Sequence, residues 1–127
     1  MDTPPPPEGL RALIIQPDAG GAALVRLPVG DLAAVTAIND AIGGHFEAIG
    51  TADWIAYVAE DERDFPAGLR PNLHADALAR VLGYSWPPGD FCKGVAVFLG
   101  RQGVNETDVP QRVIDLAKAA GLPVRSP

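Results

Sequence analysis

The feature that most constrains the fold is a pattern that occurs twice: two short strand-like runs separated by turn residues, followed by one helical segment. The first pair of runs covers residues 11–16 and 22–27, and turn-forming Pro, Asp and Gly residues separate them. The second pair covers residues 45–49 and 54–59, around Gly50-Thr51-Ala52-Asp53. Short apolar runs on either side of such turns are typical of β-hairpins. The sequence therefore predicts two hairpins.

Each predicted hairpin is followed by a segment with apolar residues at helical spacing. A first helix is predicted from Asp31 to the Gly43-Gly44 pair, because glycine supplies the left-handed conformation that ends many helices. Asn72, or the residue after it, is expected to cap a second helix that runs through Leu82. The residues predicted to face the core are Leu32, Val35, Ile38 and Ile42 in the first helix and Leu73, Ala77, Leu78 and Val81 in the second.

The last third of the chain predicts one more strand and one more helix. Residues 95–99 form the most continuous apolar run, which is typical of a central strand. Thr107 or Asp108 is expected to open the helix, with Pro110 in its first turn and Gly121 beyond its end. The residues of this helix predicted to face the core are Val113, Leu116, Ala117 and Ala120.

These elements define the expected fold class and domain limits. Their order is ββαββαβα, which favours a single α+β domain with a mainly antiparallel sheet of about five strands and three helices on one face. A chain of 127 residues is the size of one domain. Residues 1–9 are expected to form a disordered Pro-rich arm, residues 10–122 the domain, and residues 123–127 a C-terminal tail.

The composition limits the classes of function. The net charge is -6 and the 10 Lys and Arg residues are scattered, which disfavours generic binding to a nucleic-acid backbone. Cys92 is the only cysteine, so the chain has no intramolecular disulfide and no thiolate-rich metal cluster; we expect a small buried side chain at the start of the fifth strand. The first residues do not resemble a secretory signal, and no apolar run approaches the ~18 residues of a membrane span. We expect a cytoplasmic protein that does not bind membranes.

Catalytic motifs are not found. The segment His45-Phe46-Glu47 is similar to an element of zinc nucleobase deaminases, but those sites need two thiolates at close spacing. Neither Ser85 nor Cys92 stands in a nucleophile turn. The acidic loop at residues 61–64 lacks the spacing of a calcium-binding loop. The sequence therefore predicts no enzymatic activity, no metal site and no cofactor.

Residues 66–76 gather Arg, Asn, His and Asp side chains where a strand-like segment gives way to the second helix. Such junctions present side chains to partners. Arg70 is suited to binding an anion, and His74 lies one step inside the helix. Asn72 has a structural interpretation as the helix cap. We take Arg70, Asn72 and His74 as candidates for binding a small anionic ligand.

Four segments of the chain together carry a resemblance to a known family. They are Arg11-Ala12-Leu13-Ile14-Ile15-Gln16-Pro17, the predicted helix ending in Gly43-Gly44 before His45-Phe46-Glu47-Ala48-Ile49, the block Gly68-Leu69-Arg70-Pro71-Asn72, and the strand at residues 94–100. In this order they resemble the domain-of-unknown-function family 3846, a group of small phage and plasmid proteins. The resemblance spans residues 11 to about 120. It implies a bacterial cytoplasmic protein on a mobile element, and it carries over no catalytic residue because the family has no established activity.

Two hypotheses about function follow. The first is a non-enzymatic accessory module that binds a host protein or assembles with itself as a homo-oligomer. The alternative is a small-ligand binder that holds an anionic metabolite or signalling nucleotide near Arg70, Asn72 and His74. The sequence leaves open whether the aromatic residues Trp54, Tyr57 and Trp86 belong to the core or to an exposed patch.

Overall fold

The computed structural model describes residues 9–17, 21–28, 31–60, 64–65 and 68–126, and within them it shows an α+β fold of three helices and seven strands. Of the predicted Pro-rich arm, residues 1–8 lie outside the described residues. The elements in chain order are β1 (Leu10–Ile15), β2 (Ala22–Leu27), α1 (Asp31–Ile42), β3 (Phe46–Gly50), β4 (Trp54–Ala59), α2 (Leu73–Val81), β5 (Ala96–Gln102), β6 (Asn105–Thr107), α3 (Gln111–Ala119) and β7 (Val124–Arg125).

The strands form one open, mixed sheet in the order β3-β4-β5-β1-β2-β7, with β6 paired to β5. Both predicted hairpins are confirmed: β1 pairs antiparallel with β2, and β3 pairs antiparallel with β4. The predicted central strand is also confirmed, since β5 lies between β4 and β1. Every pairing is antiparallel except that of β7, which runs parallel to β2.

The prediction of about five strands is wrong, because β6 and β7 were not foreseen. The β6 segment Asn-Glu-Thr is polar and three residues long, so it has no apolar alternation. Thr107 belongs to this strand and does not open α3, which begins after Pro110. The two residues of β7 lie within the segment that the sequence suggested as a tail.

The helices lie on both faces of the sheet, not on one face as predicted. Side chains alternate along a strand, and the central strands are apolar on both sides. Phe98 packs among residues of α2 and α3, whereas its neighbours Val97 and Leu99 pack among residues of α1. Both faces of the sheet therefore carry apolar side chains that helices must bury. Helices α2 and α3 lie on one face, and α1 lies on the other.

The predicted core-facing residues of the helices are only partly correct. In α2, Leu73 and Val81 are 72% and 69% exposed, while Leu78 and the two small residues Ala75 and Ala79 are buried. A helix that lies close to a sheet favours small side chains at the closest approach, which a search for large apolar residues overlooks. The other outcomes are that Ile38, Ile42, Val113 and Ala117 are buried as predicted, Leu116 is partly buried, and Leu32, Val35, Ala77 and Ala120 are exposed.

Candidate functional site

Asn72 joins α2 to the sheet and is fully buried. Its Oδ1 accepts a hydrogen bond from the backbone N–H of Ala75 at 3.0 Å, which confirms the predicted cap. Its Nδ2 donates to the carbonyl of Ile15 at 3.0 Å and to that of Gly94 at 2.9 Å. Both N–H bonds of the amide are thus used within the fold, so Asn72 has none left for a ligand.

The other two candidates, Arg70 and His74, present exposed side chains at separate places. The carbonyl of Arg70 accepts a hydrogen bond from Gly94 N–H at 2.8 Å, which fixes the backbone before the helix. His74 lies on α2 and lines a groove whose other lining residues are all apolar. Of the three candidates, these two are the ones whose side chains solvent can reach.

Cys92 lies in the interior beneath the start of α2 and is shielded from reaction. Its backbone N–H donates to Asp76 Oδ1 at 3.1 Å. Burial, and then the negative charges of Asp76 and Asp90, raise the pKa of the Cys92 thiol to about 12. A thiol in this state is a poor nucleophile at neutral pH, because the thiolate is the reactive form.

In the deaminase-like segment His45-Phe46-Glu47, His45 pairs with Asp64, whereas Glu47 lines a cavity that Cys92 also lines. His45 Nδ1 lies 2.9 Å from Asp64 Oδ2, and Asp64 also accepts the backbone N–H of His45 at 3.0 Å. Within the described parts of the chain, no group of three His, Cys, Asp or Glu residues is arranged to hold a metal ion. Burial, followed by repulsion from Glu60 and Asp90, raises the pKa of Glu47.

The three aromatic residues left open by the sequence have different environments. Trp54 is fully buried, its Nε1 donates to the carbonyl of Leu82 at 3.1 Å, and its ring stacks on Phe98 with centroids 5.7 Å apart. Trp86 is partly buried against the same core, edge-on to Tyr84. Tyr57 is half-buried on the opposite face of the sheet. Trp54 is therefore a core residue, while Tyr57 contributes to a surface.

A groove of about 280 Å³ separates α2 from α3. We call it the α2–α3 groove; its lining residues are His74, Ala77, Leu78, Val81, Leu116, Ala117, Ala119, Ala120 and Leu122. Its walls are almost wholly apolar, and Val81 stands at its exposed margin.

A larger cavity, of about 340 Å³, lies on the other face between α1 and the β5–β6 hairpin. We call it the α1 cleft; its lining residues are Leu10, Ala34, Val35, Ile38, Phe46, Tyr57, Val104, Asn105 and Glu106. Phe46 and Tyr57 meet edge to face on its floor, with ring centroids 5.3 Å apart. Val35 is 51% exposed and Val104 is 99% exposed at its margins. The cleft is therefore an accessible apolar surface with an aromatic floor.

One end of the α1 cleft is polar. Tyr57 Oη donates a hydrogen bond to Glu106 Oε1 at 2.7 Å. Burial, then the hydrogen bond and the charge of Glu106, raise the pKa of Tyr57 above its usual range, so its hydroxyl stays protonated as a donor. Sequence reasoning missed this cleft because its residues come from β1, α1, β3, β4 and an unforeseen hairpin.

No protein-family model, curated protein or solved structure matches this chain. Among the described helices, none has the length and apolar character needed to cross a membrane. The geometry of the molecule itself is therefore what supports a function.

Proposed function

We propose that this protein is a non-enzymatic binding module that docks an amphipathic, basic segment of a partner protein in the α1 cleft. The observation that carries the proposal is the exposure of Val35 and Val104 on opposite margins of a cleft floored by Phe46 and Tyr57. The family resemblance suggests that it does so as a phage or plasmid accessory protein in the bacterial cytoplasm.

The exposed apolar surface of α1 supports this proposal. The first half of α1 is mostly exposed, including Leu32 at 80%, while Ile38 and Ile42 in its second half are buried. The apolar face of the helix thus continues past the area that the sheet covers. Contiguous apolar surface of this kind marks interaction sites, and aromatic residues at its centre supply most of the energy in many interfaces.

The polar end of the cleft, at Tyr57 and Glu106, supports the same proposal. Glu106 is exposed, and Tyr57 holds one of its oxygens in place. A carboxylate oriented in this way can accept hydrogen bonds from a Lys or Arg side chain, and charged hydrogen bonds are stronger than neutral ones. An apolar segment flanked by a basic residue would satisfy both ends of the cleft.

Charge favours a basic partner over a second copy of the chain. The sequence of α1 contains two aspartates and no basic residue. Two copies, each with a net charge of -6, would repel one another as they approach. Electrostatic complementarity increases association rates and suppresses the wrong partners, so a basic segment is the preferred occupant.

The alternative, a small-ligand binder near Arg70, Asn72 and His74, has less support. Asn72 donates both of its side-chain N–H bonds within the fold. The two remaining residues differ in setting, since His74 lines an apolar groove and Arg70 precedes the helix. An anionic ligand would find no shared arrangement of donors from all three.

The test uses two synthetic helical peptides with the same leucine positions, one with lysines and one with glutamates on its polar face. Backbone-amide NMR titrations are expected to show binding of the lysine peptide, with the largest shifts at residues of the α1 cleft. The glutamate peptide is expected to bind much more weakly. Binding of neither peptide, or shifts centred on the α2–α3 groove, would overturn the proposal.

Matched variants locate the contact. Val35→Ser together with Val104→Ser should weaken binding of the lysine peptide by about tenfold, which corresponds to ~1.4 kcal/mol. Val81→Ser, which removes an exposed valine from the other face, should leave the affinity unchanged. Sedimentation of the protein alone tests the competing occupant. A dimer that the double variant abolishes would show that a second copy fills the cleft.

A further inference from the structure

Two arginines face each other across the first hairpin. In the register of β1 and β2, Arg11 lies directly opposite Arg26. Directly opposed residues project from the same side of a sheet, with Cβ atoms roughly 5 Å apart. Arg11 shares its side with Leu13, and Arg26 with Leu24, so both arginines lie on the face that carries α2 and α3. Like charges at such positions are destabilising unless something offsets them.

The described residues provide no ion pair for these two arginines. Among the described residues, neither guanidinium has a carboxylate oxygen within 4.0 Å. Arg11 Nε is buried without a hydrogen-bond partner, and Arg26 Nη1 reaches only the carbonyl of Gly9, at 3.3 Å. The chain has 16 acidic residues against 10 basic ones, which makes two facing arginines without an acidic partner unexpected. Buried polar groups are normally paired, so the unpartnered Nε of Arg11 is unusual.

An acidic residue, Asp108, contacts the backbone of Arg11. Asp108 Oδ1 accepts the backbone N–H of Arg11 at 2.8 Å, and the carbonyl of Arg11 accepts the N–H of Val109 at 2.8 Å. These two bonds bring Asp108 and Val109, just before α3, beside the backbone of Arg11. The first turn of α3 contains no acidic residue, and its capping residue, Pro110, makes no side-chain hydrogen bond to it. Asp108, two residues before this cap, is therefore the acidic side chain that contacts the Arg11 backbone.

We infer that Arg11 and Arg26, hereafter the arginine pair, form a binding site for an oxyanion of the phosphate class. Guanidinium groups present N–H donors in a planar fork that matches the oxygens of phosphate. One tetrahedral dianion between the two side chains would offset their repulsion. A monovalent halide offers neither the charge nor the spaced oxygens.

This site is independent of the proposed docking function. The arginine pair lies on the α2–α3 face of the sheet, whereas Val35 and Tyr57 of the α1 cleft lie on the opposite face. It also differs from the candidate anion site at Arg70, which precedes α2. Failure of one proposal therefore leaves the other standing.

The experiment follows the Nε–Hε resonance of Arg11 by NMR while the full chain is titrated with inorganic phosphate, sulfate, glycerol phosphate, acetate or chloride at constant ionic strength. Phosphate and sulfate are expected to shift this resonance saturably, with a dissociation constant on the order of 1 mM. Acetate and chloride are expected to produce no saturable shift. Comparing inorganic phosphate with glycerol phosphate distinguishes a free ion from a phosphate monoester as the better ligand.

Variants assign the effect to the pair. Arg26→Gln should weaken phosphate binding by about tenfold or more, because it removes one charged donor. Arg125→Gln, which changes an exposed arginine on β7, is the matched control and should bind phosphate as the wild-type chain does. Arg11→Lys is added because it keeps the charge, and it should also weaken binding since it removes the planar fork.

Two results would overturn the inference. One is a resonance of Arg11 Nε–Hε that does not respond to any of the dianions in the wild-type chain. The other is a response that Arg125→Gln weakens as much as Arg26→Gln, because binding would then reflect overall charge. The NMR spectrum of each variant reports whether it is folded, so a misfolded Arg11 variant leaves the comparison of Arg26 and Arg125 valid.

Discussion

The two faces of the sheet differ in how completely they are covered. On one face, α2 and α3 pack over Trp54 and Phe98, and Asn72 ties the start of α2 to β1 and to the segment just before β5. On the other, α1 buries Ile38 and Ile42 but leaves its first half exposed. An amphipathic pattern therefore shows which side of a helix is apolar, but not how much of that side the protein covers itself. The uncovered part is where we expect a partner.

The largest effect on stability is expected on the face covered by α2 and α3, from Asn72→Ala. The variant leaves the carbonyls of Ile15 and Gly94 and the N–H of Ala75 without their partner. Each buried group left unpaired costs about 1–3 kcal/mol, so we expect a loss of roughly 3 kcal/mol or more in the free energy of unfolding. Urea unfolding measures the loss. Asn105→Ala, at an exposed position on β6, is the control and should change the stability by less than about 0.5 kcal/mol.

A pair of variants in α1 tests whether the two halves of this helix differ in packing. Ile38→Ala should cost about 2–3 kcal/mol because the residue is buried, whereas Val35→Ala should cost about 0.5 kcal/mol or less. Both values are read from the same urea titrations. Equal losses would mean that the first half of α1 packs as firmly as the second, and the contrast between the faces would disappear.

The pH dependence of stability probes the core between the sheet and helices α2 and α3, where Cys92 is buried. The pKa of its thiol rises from 9.0 to about 12 on folding, so the folded chain holds its proton where the unfolded chain loses it. Stability should therefore fall between these two values, by roughly 1 kcal/mol per pH unit once the unfolded thiol ionises. Cys92→Ala removes this contribution while retaining that of the tyrosines. If the free energy of unfolding changed with pH in the same way for the wild-type chain and for Cys92→Ala above pH 9, the thiol would not be shielded.

The smallest effect is expected in the α1 cleft, from Tyr57→Phe. The variant removes the hydrogen bond to Glu106 but keeps the ring on the cleft floor. Because Glu106 is exposed and water can replace the hydroxyl, the free energy of unfolding should fall by about 0.5 kcal/mol. A loss comparable with that of Ile38→Ala would show that this bond stabilises the fold and does not mainly orient Glu106 for a partner.

Local signals predicted much of this fold. The turns at residues 17–21 and 50–53 predicted the two hairpins, Gly43 ends α1 with a positive φ of 92°, and Asn72 caps α2. These features depend on a few neighbouring residues, which is why a single sequence reveals them. The second bonding role of Asn72, to Ile15 and Gly94, depends on residues far apart in the chain and could not be read from it.

The candidate sites were harder to predict for the same reason. The α1 cleft needs Val104 on a hairpin whose second strand has no apolar pattern. The arginine pair needs the register that sets Arg11 opposite Arg26, and a shift of one residue would send one of them to the other face. In α2, the small residues Ala75 and Ala79 take the buried positions, so the larger Leu73 and Val81 gave a misleading signal.

The bonds of Asn72 also bear on the order in which the chain folds. Its side chain links to Ile15, which is 57 residues away, and to Gly94, which is 22 residues away. A bond between residues this far apart closes a long loop of chain, and the lost entropy must be paid before the bond can form. We therefore expect these bonds to form after the folding transition state. Asn72→Ala should then accelerate unfolding and leave the folding rate almost unchanged. The side-chain amide of Asn72 would thus determine the lifetime of the native state and not the rate at which the chain folds.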